Sequence, residues 1–281
     1  MAGNKMTIGN VEITALSDGA LEWDLCRFFP AIPEENWAPY ASHLTAEHKA
    51  RFNLASFLVR SDGKTIVVDT GLGPIPAGVP ESPWGEGELL NDFRAKGVSL
   101  EDVDMVVMTH LHRDHVGWNL QTREGKYEPT FPNARYWMSA KDWEACHDPE
   151  MQPERFVNAR ECVWPLEDLG LVELMEGEQA LTSELTTLLT PGHTPGHMSI
   201  MINSQGERGI ILGDVVHSPV QIHETEWVAR VDIDPEQTRA TRRSMMERLE
   251  REGIPVAAAH LPAPGFGKIV RLRGRRVWQA F

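Results

Sequence analysis

Three histidines and one aspartate lie within six residues of the chain, at His110, His112, Asp114 and His115. They directly follow the apolar run 103–108, which is typical of a buried strand. A buried imidazole or carboxylate costs free energy unless a partner satisfies it, and a metal ion can satisfy several at once. Both groups are usual ligands of Zn²⁺ and similar ions. The spacing therefore predicts metal binding, with the first two histidines facing one ion and the Asp-His pair a second.

Three later apolar runs are each followed by one more side chain of the ligand type. These runs and side chains are 185–189 with His193, 209–212 with Asp214, and 255–259 with His260. If the carboxyl ends of these strands gather on one edge of a sheet sandwich, five histidines and two aspartates converge. That number of ligands suffices for two metal ions.

Together these motifs resemble those of the metallo-β-lactamase-fold hydrolases. The motifs are H-x-H-x-D-H at 110–115, T-P-G-H-T-P-G-H at 190–197, G-D at 213–214, A-H at 259–260 and D-T-G at 69–71. The resemblance spans residues 54–260 and implies an α+β protein, a four-layer αβ/βα sandwich of two mixed sheets with helices outside. No composition break marks a boundary, so we expect a single domain over residues 1–281.

The resemblance also implies a role for each ligand-type residue. His110, His112 and His193 are expected to bind the first metal, Asp114, His115 and His260 the second, and Asp214 both. The ions are expected to be divalent, with Zn²⁺ first and Fe, Mn or Co fitting the same ligands. Asp69 ends a predicted strand, where it either orients a metal-binding ring or forms a turn.

The expected activity is metal-dependent hydrolysis, in which a metal-bridging hydroxide opens a lactone or cleaves a related carboxylic ester. Asp114 is the expected catalytic proton shuttle. Flavodiiron-type proteins usually carry Glu at the position of His112. Many true β-lactamases lack a bridging carboxylate at the position that Asp214 occupies. The alternatives are a phosphotriesterase or aryl-esterase of the methyl-parathion-hydrolase type and a thioesterase of the glyoxalase II type.

The residues around the ligands are similar to those of the lactonase and methyl-parathion-hydrolase branch. Four of them are expected to contact the substrate, although they could equally be core residues: Trp118, His217, Val220 and His223. The tyrosine that some acyl-homoserine lactonases use beside the metals has no counterpart just after Asp214. His217, Ser218 and His223 are the candidates to replace it.

Residues 20–53 contain six aromatic residues and three prolines without a clear period, which predicts an irregular arm near the site or a subunit contact. Residues 73–86, with four prolines, are predicted to be loop. The net charge of −14 argues against nucleic-acid binding. Three scattered cysteines and the lack of a long apolar segment favour a cytoplasmic protein without membrane contact. The expected partner is a small ester or lactone, and a homodimer is left open.

Overall fold

The structure is a computed structural model and describes residues 3–74 and 85–281. In chain order, the strands are β1 (Lys5–Ile8), β2 (Val11–Asp24), β3 (Lys49–Ser61), β4 (Lys64–Val68), β5 (Met105–Val107), β6 (Leu120–Arg123), β7 (Lys126–Pro129), β8 (Arg135–Ser139), β9 (Val172–Met175), β10 (Leu185–Leu189), β11 (Met198–Ser204), β12 (Glu207–Ile211), β13 (Val256–Ala257), β14 (Phe266–Leu272) and β15 (Arg275–Ala280).

The helices of the described ranges are mostly short. They are α1 (Leu25–Phe28), α2 (Leu89–Ala95), α3 (Arg113–Val116), α4 (Ala140–His147), α5 (Gln152–Arg155), α6 (Ala159–Cys162), α7 (Pro165–Asp168) and α8 (Pro235–Glu252). Single turns or short runs of 3₁₀ helix occupy Glu34–His43, Leu100–Asp102, Gly213–Val215 and Pro219–Ile222. No described helix is long and apolar enough to cross a bilayer.

Two mixed sheets pack face to face within the described part of the chain. One has the order β1-β2-β3-β4-β5-β8-β9 and the other β10-β11-β12-β13-β14-β15, while β6 and β7 form a separate hairpin. The strands β4, β5, β8 and β9 run parallel to one another, as do β12 and β13. Of these strands, β5, β12 and β13 are followed by predicted ligand residues and β4 by Asp69, while β10, in an antiparallel pairing, is followed by His193.

Side-chain alternation along β4 and β5 divides the core into layers. Ile66, Val68 and Val107 face the second sheet, whereas Val67 and Val106 face the helices packed on the outside. On the outer face of the second sheet, α8 buries its own apolar stripe against β12, β13 and β14. Because each sheet is covered by helices on its outer face, the architecture is the expected α+β sandwich with four layers.

The segment 20–53 is more regular than its sequence indicates. Residues 20–24 extend β2 and pair antiparallel with residues 49–53 of β3. The composition of Ser17-Asp18-Gly19 predicts a turn, but these residues form a β-bulge, since the register of β2 against β3 shifts between Ser17 and Ala20. A bulge interrupts the period of two, which explains why the sequence showed no strand pattern here. The remaining residues form α1, the 3₁₀ helix and irregular connections.

The capping pattern at Asp234-Pro235 and the apolar residues on one face of 140–147 and 153–164 predict three helices. The helix from Pro235 is capped by Asp234, whose side chain accepts from the Gln237 amide at 3.0 Å, and it ends at Gly253 with φ +61°. Residues 140–147 are also helical as predicted, but the predicted helix over 153–164 is broken into short turns. Most of the predicted loop over 73–86 lies outside the described residues.

Asp18, within the bulge, connects three separate segments beneath the site. Its carboxylate accepts hydrogen bonds from the Leu72 amide at 2.5 Å, the Leu89 amide at 2.6 Å and the Trp118 indole at 3.1 Å. The carboxylate is almost completely buried, and burial raises the pKa of Asp18 to about 6. Asp18 thereby holds Leu72, Leu89 and Trp118 against the first sheet, and Leu72 lines the cavity beside the predicted ligand residues.

Candidate metal centre

The structure brings all seven predicted ligand residues together at one edge of the sandwich. The carboxylate oxygen Oδ2 of Asp214 lies at their centre, 3.0 Å from His260 Nε2, 3.3 Å from His193 Nε2 and 3.4 Å from His115 Nε2. His110 Nε2 is 3.8 Å from the same oxygen. Six of the seven are buried, and the seventh, Asp114, is partly exposed to solvent.

The side chains fall into two groups with Asp214 between them. In the first group, His193 Nε2 lies 2.8 Å from His112 Nδ1 and 3.1 Å from His110 Nε2. In the second group, Asp114 Oδ2 lies 3.5 Å from His260 Nε2 and 3.8 Å from His115 Nε2. The two triads, and a third formed by His110, His115 and Asp214, each have ligand atoms within 4.8 Å of one another.

The donor atoms of these residues fit metal ions better than they fit one another. His115 Nε2 and Asp214 Oδ1 are buried without a hydrogen-bond partner in the described structure. Burial, helped by the neighbouring imidazoles, lowers the pKa of His110 and His112 well below the usual value. Neutral imidazoles that point their ring nitrogens at one another present lone pairs to a common centre, which is the arrangement a cation stabilises.

Asp69 lies behind the cluster and holds one of its rings. Its Oδ2 is 2.9 Å from His115 Nδ1, and it also accepts hydrogen bonds at 2.8 Å from the Thr109 amide and hydroxyl. The hydrogen bond at Nδ1 leaves Nε2 of His115 free to face the site. Asp69 has φ +60°, a left-handed conformation that costs free energy for a residue with a Cβ. Its position matches the ring-orienting alternative for this residue.

Two residues that position the side chains of the cluster, Asp232 and His197, were not predicted from the sequence. Asp232 Oδ1 accepts a hydrogen bond from His193 Nδ1 at 2.8 Å, and its Oδ2 contacts the buried guanidinium of Arg242 at 3.3 Å. Asp232 stands two residues before the helix-capping Asp234, so nothing in its sequence context separates it from a capping or turn residue.

His197 holds the backbone of the central carboxylate. Burial lowers the pKa of His197 to about 3, so its ring is neutral. Nδ1 donates to the Thr190 carbonyl at 3.0 Å, which leaves Nε2 to accept from the Asp214 amide at 2.8 Å. The second histidine of the T-P-G-H-T-P-G-H motif therefore positions Asp214, and it was not predicted to be a ligand.

The four predicted substrate residues do not lie together. His217 is beside the cluster, with Nε2 at 3.4 Å from Asp214 Oδ2 and neither ring nitrogen hydrogen-bonded in the described structure. Trp118 instead belongs to the core outside the first sheet, where its indole donates to Asp18. Val220 packs in the aromatic cluster of the 20–53 segment, and His223 is half-buried beyond it. The structure thus favours core packing for Trp118 and Val220.

A cavity of about 450 Å³ opens directly onto the cluster. The apolar residues of its lining, called here the apolar wall, include Leu21, Phe28, Phe52, Leu72 and Val231. The lining also includes the predicted ligand residues His112, Asp114, His193, Asp214 and His260 together with His217. Such a combination of an apolar wall with a few convergent polar groups is the usual form of a small-molecule site.

The family relationships of the chain agree with this geometry. A model of the metallo-β-lactamase superfamily matches residues 51–260. The chain belongs to this superfamily. An N-acyl homoserine lactonase from Bacillus thuringiensis is 23% identical over 209 residues, which cover 70% of this chain and 76% of the relative. The superfamily assignment confirms the predicted fold, and together with the lactonase relatives it confirms that the chain is a metal-dependent hydrolase.

Two solved structures extend the similarity to the whole chain. The hydrolase AbOPH of the β-lactamase superfamily aligns with a TM-score of 0.84 and 27% identity, covering 100% of this chain and 98% of the other. AidC, a dizinc quorum-quenching lactonase solved with the product N-hexanoyl-L-homoserine, aligns with a TM-score of 0.82 and 22% identity over the same shares.

Proposed function

We propose that this hydrolase opens a lactone, or cleaves a related carboxylic ester, whose acyl part is largely apolar. The observation that carries this proposal is the cavity in which an apolar wall leads to a cluster of seven ligand-type side chains. The name of the Bacillus relatives, N-acyl homoserine lactonase, supports the same reaction class.

The proposed site holds two divalent ions, with Zn²⁺ as the first candidate. His110, His112 and His193 would bind one ion, and Asp114, His115 and His260 would bind the other. Asp214 would bind both, because its Oδ2 lies within 4 Å of histidines from each group while its Oδ1 has no other partner. When bound, two such ions lower the pKa of a water between them and polarise the substrate oxygen.

The protein groups around that centre have separate proposed roles. Asp114 is the only ligand candidate in the described structure with substantial exposure, and its carboxylate faces the cavity. It can therefore take a proton from the attacking water and return it to the leaving oxygen. His217 is buried, and burial lowers its pKa, so it is a neutral ring with one N–H. That N–H can donate to an oxygen of the bound ester, the role left open by the missing tyrosine.

A four-substrate screen tests the reaction class. Protein reloaded with Zn²⁺ is assayed with an N-acyl homoserine lactone, an aryl ester, a thioester and a phosphotriester. The proposal expects the highest kcat/KM for the lactone or the aryl ester. A clear preference for the phosphotriester or the thioester would replace the proposal with one of the two alternative activities, and no turnover of any substrate would contradict it.

Phe28 gives a prediction about acyl-chain selectivity. Its ring lines the cavity and lies 5.5 Å from the His217 ring, centroid to centroid. Phe28→Leu should lower kcat/KM for short acyl chains by about three- to tenfold, since one to two methylene equivalents of contact contribute about 0.8 kcal/mol each. Longer chains should lose less, because they can occupy the space vacated. The measurement is kcat/KM across a series of acyl chain lengths.

The neighbouring residue supplies the control for this prediction. Phe29 is fully buried in the same aromatic cluster but does not line the cavity. Phe29→Leu should destabilise the segment without changing the order of preference among chain lengths. If both variants shift that preference equally, the 20–53 segment acts through packing, and Phe28 has no direct contact with the acyl chain.

A further inference from the structure

The charge around the cavity is opposite in sign to that of the whole chain. The chain has 27 Lys and Arg against 41 Asp and Glu. A second, open hollow of about 900 Å³ shares Leu21, Trp23 and Arg230 with the cavity. Apart from the proposed metal ligands, the described residues lining the two spaces include six cations, Arg27, Lys49, Arg51, Arg113, Arg155 and Arg230, but three acids, Glu22, Asp24 and Glu154.

Two of those three acids already have a partner in the described structure. Glu22 lies 4.0 Å from the guanidinium of Arg51, and the side chain of Asp24 accepts a hydrogen bond from the Arg27 amide at the start of α1. No described carboxylate lies within 4.0 Å of the Arg230 guanidinium. Among the described residues, Arg230 therefore has no carboxylate that neutralises it, and its charge can attract an anion from solution.

Arg230 is held at the junction of the two spaces by its own backbone. Its amide donates to the Phe28 carbonyl at 2.8 Å, and its carbonyl accepts from the Arg155 guanidinium at 3.0 Å. The next turn is fixed to the metal centre, because Asp232 accepts from the Ala229 amide at 2.9 Å and from His193. Arg230 is exposed, and its fixed backbone places the root of its side chain at the edge of an apolar pocket.

The order of groups along the cavity defines a shape for the ligand. Phe28 lies between the cluster and Arg230, because its ring is 5.5 Å from the His217 ring and its carbonyl accepts from the Arg230 amide at 2.8 Å. Phe52, Leu72 and Arg155 line the same cavity. A neutral acyl chain would use the first two features and leave the arginines without a function. A chain that ends in a carboxylate would use all three, since guanidinium binds carboxylate through paired N–H donors.

We propose that the substrates of this hydrolase are esters or lactones whose acyl part ends in a free carboxylate, which Arg230, with Arg155, binds. This inference rests on the proposed function and narrows its substrate class. The scissile carbonyl lies at the cluster, the methylene chain lies along the apolar wall, and the distal carboxylate lies at the mouth. Arg230 is a specificity-determining residue in this arrangement and takes no part in the bond-breaking step.

A pair of aryl esters of equal chain length tests the proposal. The metal-loaded protein is assayed with 4-nitrophenyl hexanoate and with the mono-4-nitrophenyl ester of adipic acid, which replaces the terminal methyl group by a carboxylate. At low salt, kcat/KM should favour the acid ester by about five- to tenfold, the range expected for a partly exposed charge-assisted contact. High salt should reduce that ratio, because it screens exposed charges.

Two variants assign the effect to its residue. Arg230→Gln should bring the ratio of the two kcat/KM values close to one. Arg60→Gln is the matched control, because Arg60 is exposed on β3 away from the cavity, and it should leave the ratio unchanged. If Arg60→Gln lowers the ratio as much as Arg230→Gln does, the preference comes from the general field of the protein, and the assigned contact is wrong.

A binding measurement separates failure of this inference from failure of the proposed function. Calorimetric titration of the metal-loaded protein compares adipate with hexanoate, which have one carboxylate in common. The inference expects about five- to tenfold tighter binding of adipate, lost in Arg230→Gln. Hydrolysis of both esters with no preference for the acid would overturn the inference alone. Hydrolysis of neither ester would overturn the proposed function, and equal binding of the two acids would then overturn the inference as well.

Discussion

Asp214→Asn should leave the metal-reloaded protein with one tightly bound ion instead of two. The substitution keeps the shape of the side chain but removes the negative charge that would offset the repulsion between two cations. Five imidazole nitrogens lie within 4 Å of Oδ2 of this residue. The other described carboxylates near the cluster contact histidines of one group only, so none of them can take over its position. Activity should fall by more than the about 10–100-fold typical of changes to groups that only support a ligand.

The pH dependence of the residual activity provides a second readout of Asp214→Asn. If one ion is lost, the catalytic water loses its proton less readily, so the pH–rate profile should move to higher pH. Elemental analysis after reloading and the profile of kcat/KM are the two measurements. Asp18→Asn is the control, because Asp18 is also a buried carboxylate but contacts none of the ligand residues. Two ions and an unshifted profile in Asp214→Asn would mean that Asp214 is only a turn residue.

The positions of the ligand residues were predictable because each follows an apolar run. A strand such as β5 must be buried on both faces, and its composition shows this directly. The carboxyl ends of β5 and β13, which belong to different sheets, lie at the same edge of the sandwich, so His110 and His260 both come within 4 Å of Asp214 Oδ2 although 150 positions separate them in the chain. The apolar sequence pattern and the position of the strand in the sheet therefore have the same cause, which is burial of the strand on both faces.

The supporting residues were not predictable, because their function depends on contacts that leave no local pattern. Asp232 and His197 hold ligand residues, yet each stands where a capping aspartate or a packing histidine would also fit. Trp118 adjoins the histidine motif in sequence, but the chain turns after α3 and places its ring in the outer core. The bulge between Ser17 and Ala20 likewise hid the extension of β2. Residues that lie close to the ligand motifs in sequence therefore did not identify the residues that line the cavity.

Arg242→Met should lower the free energy of unfolding by about 3–5 kcal/mol, the usual cost of breaking a buried ion pair by removing one partner. Arg242 is fully buried in α8, and it donates to the Val215 carbonyl at 2.7 Å and the Trp227 carbonyl at 2.5 Å besides contacting Asp232. Methionine fills a similar volume but leaves Asp232 as an unpaired buried charge. Val215 follows the proposed bridging residue, so metal affinity should fall together with stability.

The adjacent residue of the same helix supplies the matched control for Arg242→Met. Arg243 forms an exposed ion pair with Glu226 at 3.1 Å, and exposed pairs contribute at most about 1 kcal/mol. Urea unfolding of the metal-free proteins gives the free energies, and elemental analysis after reloading gives the metal content. Arg242→Lys keeps the charge but not the planar set of donors, so its stability should lie between those of the wild type and Arg242→Met. If Arg242→Met is no less stable than Arg243→Met, the buried guanidinium does not support the metal centre. In that case Asp232 must hold His193 without help from α8.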